Sequence, residues 1–591
     1  RQADTWQPIR IAIYNAMGTS MTQDKVDYVL QLLRDSDAWF KSALNVRPVQ
    51  GNLFVPRRCA STWVTGSRAG QCFQALPASC GTMTEIPAEH LDGITLATSP
   101  DGNSYKTVVL PKGTGIPNAD LVIYATAGTD PGGSSSNNGG GCGVGSNTLA
   151  YSGSCYRDQN DRPVVGYIHF CSEKVQPSTV ESVVWEDRVL AAHEMTHIIG
   201  FSASSFPLFR KPDNTPYLAR CPEAPGCSAA DVDGNPPNIQ TMEAPASVVS
   251  ITQERGGTVA RIVTPMVKQV THLHYGCAAL DGAELENFGG TATAGSHWEK
   301  RALMSEYMTG STSDGFRSVY SAFTLAALHD SGWYRVNWEA AGALLWGRNW
   351  GCDLALKPCL PEDSGNPPPT PTPVAHFCQS EAANGHQCTF DRRAIGFCSV
   401  VRFPDPLPTQ YQYFTDPRVG GIDSLMDFCP INLPYKNKYC DNSNGLAEAT
   451  DCGGKDCFGS VYEVGSRCFQ TSLVLTDYNI PGMPATTAGC YKYSCKDGHL
   501  IIQVPGGAAL NCSVESSKSA PGFTGRLYCP PTEEVCFAQT AFVKRVESMA
   551  PVNLGGASII SPPIVVNAAP ARHGAPAVLL LLAPLLLALS L

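Results

Sequence analysis

His193-Glu194-Met195-Thr196-His197, H-E-x-x-H, closes a run that holds no proline or glycine from Ser178 onward, and Gly200 follows shortly after. Residues four apart share a helix face, so two imidazoles at this spacing stand close enough to hold one Zn²⁺. Glu194 lies about 100° round the helix from His193, where its carboxylate can reach water at such a metal and act as a general base. Val183, Val184, Leu190, Ile198 and Ile199 supply the apolar component of this helix. Ser178-Thr179-Val180-Glu181 reads as a capping box at its start, and Gly200, before Phe201-Ser202-Ala203, as its stop. A buried helix with two packed histidines would spell the same letters, so the rest of the chain must complete a metal site.

Upstream, Pro8 to Tyr14 alternates polar and apolar residues as a strand does, and Thr22 to Leu44 reads as an amphipathic helix. Thr107–Leu110 and Ala119–Tyr124 read as further strands. Arg162–Phe170, just before the histidine helix, reads as a strand able to border a cleft and pair with an extended peptide, or as an ordinary sheet member. His169 within it is expected to be structural. These elements make an α/β or α+β domain ending near Gly200. Thr129 to Gly145 is rich in Gly, Ser and Asn; no G-K-[ST] follows, so it reads as a loop and not a phosphate cradle.

Phe206 to Thr241 is rich in Pro, Asp and Asn, with Cys221 and Cys227 placed to staple a small loop. Regular structure is expected to resume over Val248 to Val270. Phe316 to Trp333 reads as a helix with Phe323 and Leu325 to Leu328 packed, and with His329 at its C-terminal dipole. Pro367 to Pro373 reads as a linker or surface loop. From Cys352 to Cys536 cysteines are closely spaced and no long periodic segment occurs, which points to an irregular, disulfide-held region.

The 591 residues leave room for roughly three or four domains. The 24 cysteines are even in number and lack the C-x-x-C pairs of zinc ribbons, so a disulfide-stabilised protein of the secretory route is expected. A net charge of -10 without a long basic block argues against a nucleic-acid partner. Asn511-Cys512-Ser513 is the sequon that would make it a glycoprotein. Arg1-Gln2-Ala3-Asp4 is neither a signal peptide nor an initiator sequence, so a signal and a pro-segment are expected before it. Ala577 to Leu591 is almost all Leu and Ala, short of the about 20 residues a membrane helix needs. With small residues at Asn567-Ala568-Ala569 and a spacer from Pro570 to Pro576, it reads as a GPI-anchor signal attached at Asn567. A secreted tail and a true membrane span are the alternatives.

A catalytic zinc wants a third protein ligand and one open position. In H-E-x-x-H-x-x-G-x-x-H proteases a third histidine completes the motif, but residue 203 here is Ala. The candidates are His272, His274 and His297, or an acid such as Glu284 or Glu286, and spacing alone does not choose among them. His272 and His274 lie in what reads as a short alternating segment.

Arg188 to His197 with Gly200-Phe201-Ser202, His274-Tyr275-Gly276-Cys277, Gly282 to Glu286, and above all Gly289 to Trp298 resemble the leishmanolysin family, surface metalloproteases of trypanosomatid parasites. The resemblance runs through nearly all of the chain. It implies that His297 is the third zinc ligand and that Met308, in Ser305-Glu306-Tyr307-Met308-Thr309, is the methionine of a Met-turn beneath the metal. Without the family, Met308 reads as a core methionine. The implied fold class is α+β and metzincin-like. Residues 1–200 would be an N-terminal catalytic domain with the active-site helix. Residues 201–349 would be a central domain with the third ligand and Met-turn, and 350–567 a cysteine-rich, mostly irregular or β C-terminal domain. Residues 568–591 would be the GPI signal. The implied activity is that of an endopeptidase with one catalytic Zn²⁺, made as a zymogen and acting on proteins and peptides. Host or other extracellular surface proteins would be its partners, and a GPI anchor would hold it to the lipid membrane at the cell surface. A cell-adhesion or interaction protein on the same scaffold is the alternative. The insert with Cys221 and Cys227 and the Gly/Ser/Asn loop before Cys142 depart from the family pattern. Neither touches a proposed ligand, but both bear on cleft access, so substrate preference is not carried over.

Overall fold

Leu121 to Ala127 are all buried, the pattern of a strand covered on both faces. The computed structural model describes residues 5–99, 106–129, 141–142, 148–218, 244–290, 293–311, 315–360, 377–378, 386–441, 459–477, 487–512 and 517–549. Its main sheet consists of β1 (Ile11–Asn15), β2 (Leu121–Gly128), β3 (Ala150–Arg157) and β4 (Pro163–Cys171), in the order β1-β2-β4-β3. β1 and β4 both run parallel to β2, with Ile13 opposite Ile123 and Val165 opposite Val122; β3 runs antiparallel to β4. One face of this sheet sends Leu121, Ile123, Ala125, Ile168 and Phe170 into the largest core. That core also holds the buried sides of α1 (Gln23–Ala43) and α2 (Glu181–Ile199). The other face sends Val122, Tyr124, Val164 and Val165 into a smaller core with Leu53, Val55 and Ile86. Val26, Val29, Leu33 and Phe40 form the apolar stripe of α1, each burial contributing about 1.5–3 kcal/mol.

The strand expected to border a cleft is interior: β4 is hydrogen-bonded on both sides, and β3 lies outside it at one edge of the sheet. β3 reads Ala-Tyr-Ser-Gly-Ser-Cys-Tyr-Arg, with no β-branched residue, so its sequence carries little strand signal. His169 is structural as expected, buried with its Nδ1 2.9 Å from Thr126 Oγ1.

α2 lies so close to β4 that a Cβ at Gly166 would stand 2.3 Å from Ile198. The expected capping box is not made. Glu181 is the first helical residue, Val180 stands at the cap position without a side-chain bond, and Ser178 Oγ accepts from Val180 N at 3.1 Å in a local turn.

A hairpin of β5 (Val249–Glu254) and β6 (Gly257–Ile262) leads into α3 (Pro265–Tyr275), and β6 also pairs with β7 (Ala283–Leu285). His272 and His274 are therefore helical, not members of an alternating segment. Pro265 at the first helical position and the Asp330 carboxylate, which accepts from Met266 N and Val267 N at 2.7 and 3.1 Å, start this helix. α4 (Ala322–Asp330) begins later than Phe316, where Ser321 Oγ accepts from Phe323 N at 3.1 Å. His329 Nδ1 near its end is 3.2 Å from Asp330 Oδ1.

Beyond Cys352 the chain is more regular than its sequence suggests. Gln387–Cys388, Ala394–Cys398 and Asn432–Tyr439 form one antiparallel sheet. Ser466–Gln470, Ala488–Lys496, His499–Gln503 and Ala509–Asn511 form a second, four-stranded one. Disulfides such as Cys388–Cys468, Cys440–Cys490 and Cys495–Cys536 staple these strands. α5 (Gln539–Met549) returns Val543 and Val546 to the largest core. Cys221, Cys227, Pro367–Pro373, Ser513 of the sequon, Asn567 and the residues after it lie outside the described residues. Among the described residues no helix is long and apolar enough to cross a membrane.

Candidate metal centre

The last turns of α2 present His193 and His197, and a loop 104 residues after His193 brings His297 to the same point. Nε2 of His193 is 3.1 Å from Nε2 of both His197 and His297, and those two are 3.2 Å apart. Each Nδ1 donates to a main-chain carbonyl: His193 to Tyr307 O at 2.7 Å, His197 to Phe201 O at 2.7 Å and His297 to Thr293 O at 2.8 Å. A carbonyl only accepts, so each ring proton sits on Nδ1 and each Nε2 turns a lone pair toward the other two. Burial first, then repulsion between the rings, pushes His193 down to about 3 and His197 well below its ordinary value; burial also lowers His297. Three neutral imidazoles with converging lone pairs are the donor set of a cation site. Nitrogens about 2.0–2.1 Å from a shared Zn²⁺ at tetrahedral angles stand about 3.3 Å apart, close to the spacing seen. Among the described residues this is the one group of three or more His, Cys, Asp or Glu side chains placed to hold a metal ion.

Local structure explains each ring. Gly200 has φ +138°, and a Cβ there would lie 2.7 Å from Trp333, so this turn wants glycine. It brings Phe201 N to Thr196 O at 3.0 Å and Phe201 O back onto His197. The His297 loop is held by its backbone. Trp298 bridges to Leu285 of β7 and to Thr309, Glu286 N donates to His297 O at 2.9 Å, and Trp298 N donates to Met308 O at 2.9 Å. Met308 is fully buried, and its neighbour Tyr307 supplies the carbonyl that orients His193. Tyr307 OH also lies 2.9 Å from Thr196 Oγ1 on α2.

Glu306 organises this turn and was not singled out by sequence. Its carboxylate accepts from Ser321 Oγ at 2.9 Å, Thr324 Oγ1 at 2.6 Å and Met308 N, and burial pushes it up to about 7. The only sequence signal was an acid inside Leu-Met-Ser-Glu-Tyr-Met.

A cavity of about 810 Å³ opens over the histidines, lined by Leu149 to Ser152 on one side and by Val189, Leu190 and Tyr307. Glu194 also lines it, and burial raises its carboxyl to about 8. Ser152 Oγ on β3 donates to the main-chain O of Glu194 at 2.8 Å, tying the outer strand to the helix. The other candidate ligands are engaged elsewhere. His272 Nε2 donates to Leu280 O at 2.6 Å and the buried His274 Nε2 to Trp346 O at 2.7 Å. Glu284 pairs with Arg255 and Arg261, each at 2.8 Å, and Glu286 accepts from Phe288 N at 2.9 Å.

Residues 98–542 match the family model described as leishmanolysin. The chain is 29% identical over 587 residues to a leishmanolysin-like peptidase of Drosophila pseudoobscura pseudoobscura, covering 91% of this chain and 81% of the relative. It is 27% identical over 588 residues to a leishmanolysin-like peptidase of Caenorhabditis elegans, covering 90% and 84%. Against the leishmanolysin of Leishmania major it is 28% identical over 400 residues, covering 66% and 57%. With a three-histidine cluster of the right donor chemistry inside the matched span, the chain belongs to the leishmanolysin family and is a zinc-dependent endopeptidase.

Proposed function

We propose that His193, His197 and His297 hold one catalytic Zn²⁺, that Glu194 is the general base, and that Met308 is the Met-turn methionine of this endopeptidase. The observation that carries this reading is the set of three inward-facing Nε2 atoms beside a carboxylate in an open cleft. Zn²⁺, when bound, polarises a scissile carbonyl and makes water acidic enough to be deprotonated near neutral pH. Glu194 takes that proton and delivers it to the departing amine. The main-chain carbonyls of Tyr307, Phe201 and Thr293 hold the three rings in their ligating tautomer. The outer strand β3, which among the described residues pairs with no strand but β4, offers its other edge to an extended substrate backbone, so that the peptide lies along Ala150 to Ser154.

The domain division at 1–200, 201–349 and 350–567, a zymogen form, glycosylation at Asn511 and a GPI anchor at Asn567 belong to the same proposal. So do a cell-surface location and extracellular protein partners. Disulfides across the described residues support the extracellular part, since such bonds persist in oxidising compartments. Release of the protein from cells by a GPI-cleaving phospholipase tests the anchor.

The catalytic assignment is tested with Glu194→Gln on casein or a quenched peptide. It is expected to keep zinc and lose about 10²–10⁴-fold in kcat, while chelation abolishes activity in the unaltered protein and added zinc restores it. Ordinary turnover by Glu194→Gln would refute the base. A folded, zinc-loaded protein with no peptidase activity would favour the adhesion scaffold.

A further inference from the structure

A second cavity, of about 580 Å³, adjoins the first and shares Ser152 and His197 with it. It continues along β3 past Gly153 and Ser154 to Cys155. The two cavities differ in charge. Glu186, Glu194 and Glu306 line the first, whereas the second has Arg58 and no carboxylate among its lining residues. Six serines, Ser79, Ser152, Ser154, Ser202, Ser204 and Ser296, contribute most of its remaining polar wall, beside Tyr167 and His197.

Arg58 is held in place. Its Nη2 donates to Cys155 O at 2.6 Å, and its guanidinium carbon stands 4.1 Å from the centre of the Tyr156 ring. Its Nε is buried without a hydrogen-bond partner. No described carboxylate pairs with it. The adjacent Arg157 donates to Ser154 Oγ at 3.0 Å and Ser205 Oγ at 3.1 Å, adding a second positive charge behind the serine wall. A guanidinium fixed by stacking and a carbonyl, partly desolvated and with no counter-anion among the described residues, is a pre-organised partner for a carboxylate. Hydroxyls beside it can donate to the same anion.

Its distance from the chemistry sets which substrate residue it meets. Ser152 touches Glu194, and Arg58 is bonded at Cys155, three residues farther along β3. At about 3.3 Å per residue that is about 10 Å, the reach of a substrate side chain two or three residues from the scissile bond. We infer that this pocket selects substrates with Asp or Glu at such a position, and that Arg58 is the side chain that binds the carboxylate. The inference rests on the peptidase reading above.

The test is a set of quenched peptides identical except for Glu, Ala or Lys at each of three positions on either side of the cleaved bond. At one position two or three residues from the bond, Glu is expected to raise kcat/KM about tenfold over Ala. Arg58→Gln should remove that preference and Arg58→Glu should shift it toward Lys. Arg58→Lys should keep part of it, the readout being the Glu-to-Ala ratio within each variant. An unchanged Glu-to-Ala ratio in Arg58→Gln, or no acid preference in the unaltered protein, overturns the inference. Fluorescence anisotropy with the Glu and Ala peptides reads the pocket without turnover. Discrimination lost in Arg58→Gln but no cleavage of any peptide would sink the peptidase reading and leave the pocket standing; equal binding of both peptides would sink the pocket.

Discussion

The helix that carries His193 and His197 and the loop that carries His297 bring three imidazoles to one point by opposite means. In α2 the helical repeat alone puts His193 and His197 on one face, and the glycine turn at its end supplies the carbonyl for His197. His297 has no regular element of its own. Main-chain bonds position it, through Trp298 to Leu285 and Thr309 and through Glu286 N to His297 O, while the neighbouring turn lends Tyr307 O to His193. Half of the site is thus written in local periodicity and half in long-range backbone pairing. The second half has more ways to fail.

The sharpest way to break the comparison is to remove the loop's histidine. His297→Ala leaves the helical pair intact, and zinc affinity is expected to fall by more than about 100-fold, past the loss typical of an orienting partner. Zinc per chain after dialysis against a metal buffer, beside the same measurement on His193→Ala, reads this. Full zinc occupancy in His297→Ala would mean that the loop supplies scaffold and not a ligand.

A smaller effect is expected at Glu306, which supports the turn without facing the metal directly. Glu306→Gln replaces one accepting oxygen with a donor facing Met308 N, Ser321 or Thr324, at a cost of about 1–3 kcal/mol. Tyr307 O then holds His193 less firmly, so zinc affinity should fall by about 10-fold. The pH dependence has a definite sign. Burial raises the folded carboxyl from 4.5 to about 7, so the folded state keeps its proton where the unfolded state has lost it. That contribution is complete below pH 4.5 and is lost as pH rises through about 7. In metal-stripped protein, the Tm advantage over Glu306→Gln should therefore shrink from pH 5 to pH 8. An advantage that grows with pH would reverse the assignment.

The same contrast explains what was legible in the sequence. The H-E-x-x-H helix, α1, the alternating strand around Ile13 and the continuous apolar strand around Ile123 are written in local sequence, and they fold in the elements read for them. His297 was one of five candidates until the family resemblance singled it out, because bridges made by backbone atoms leave no side-chain signature. The outer strand escaped notice for a related reason: Tyr-Ser-Gly-Ser-Cys has neither alternation nor β-branching, and its place is set by pairing with β4. His272 and His274 are helical where their sequence suggests an alternating segment, because α3 takes its start from Asp330, a residue on a distant helix. Glu306 is an acid whose partners, Ser321 and Thr324, lie beyond any local window.

The smallest predicted effect probes the locally written half. A capping box would need Ser178 at the cap, but the helix starts at Glu181 and leaves Val180 there, 58% exposed and without a side-chain acceptor. Val180→Asp supplies that acceptor and places a negative charge at the helix N-terminus, together worth about 1 kcal/mol. Since helices open from their ends, amide exchange in the first turn of α2 should slow by about fivefold, that energy converted at room temperature. Zinc affinity and kcat should stay unchanged, because the histidines are three turns away and fixed by Gly200 and the Met308 turn. Should kcat move with the cap, the helix would be transmitting strain along its length, and the local half of the site would be less independent of its surroundings than the periodic pattern implies.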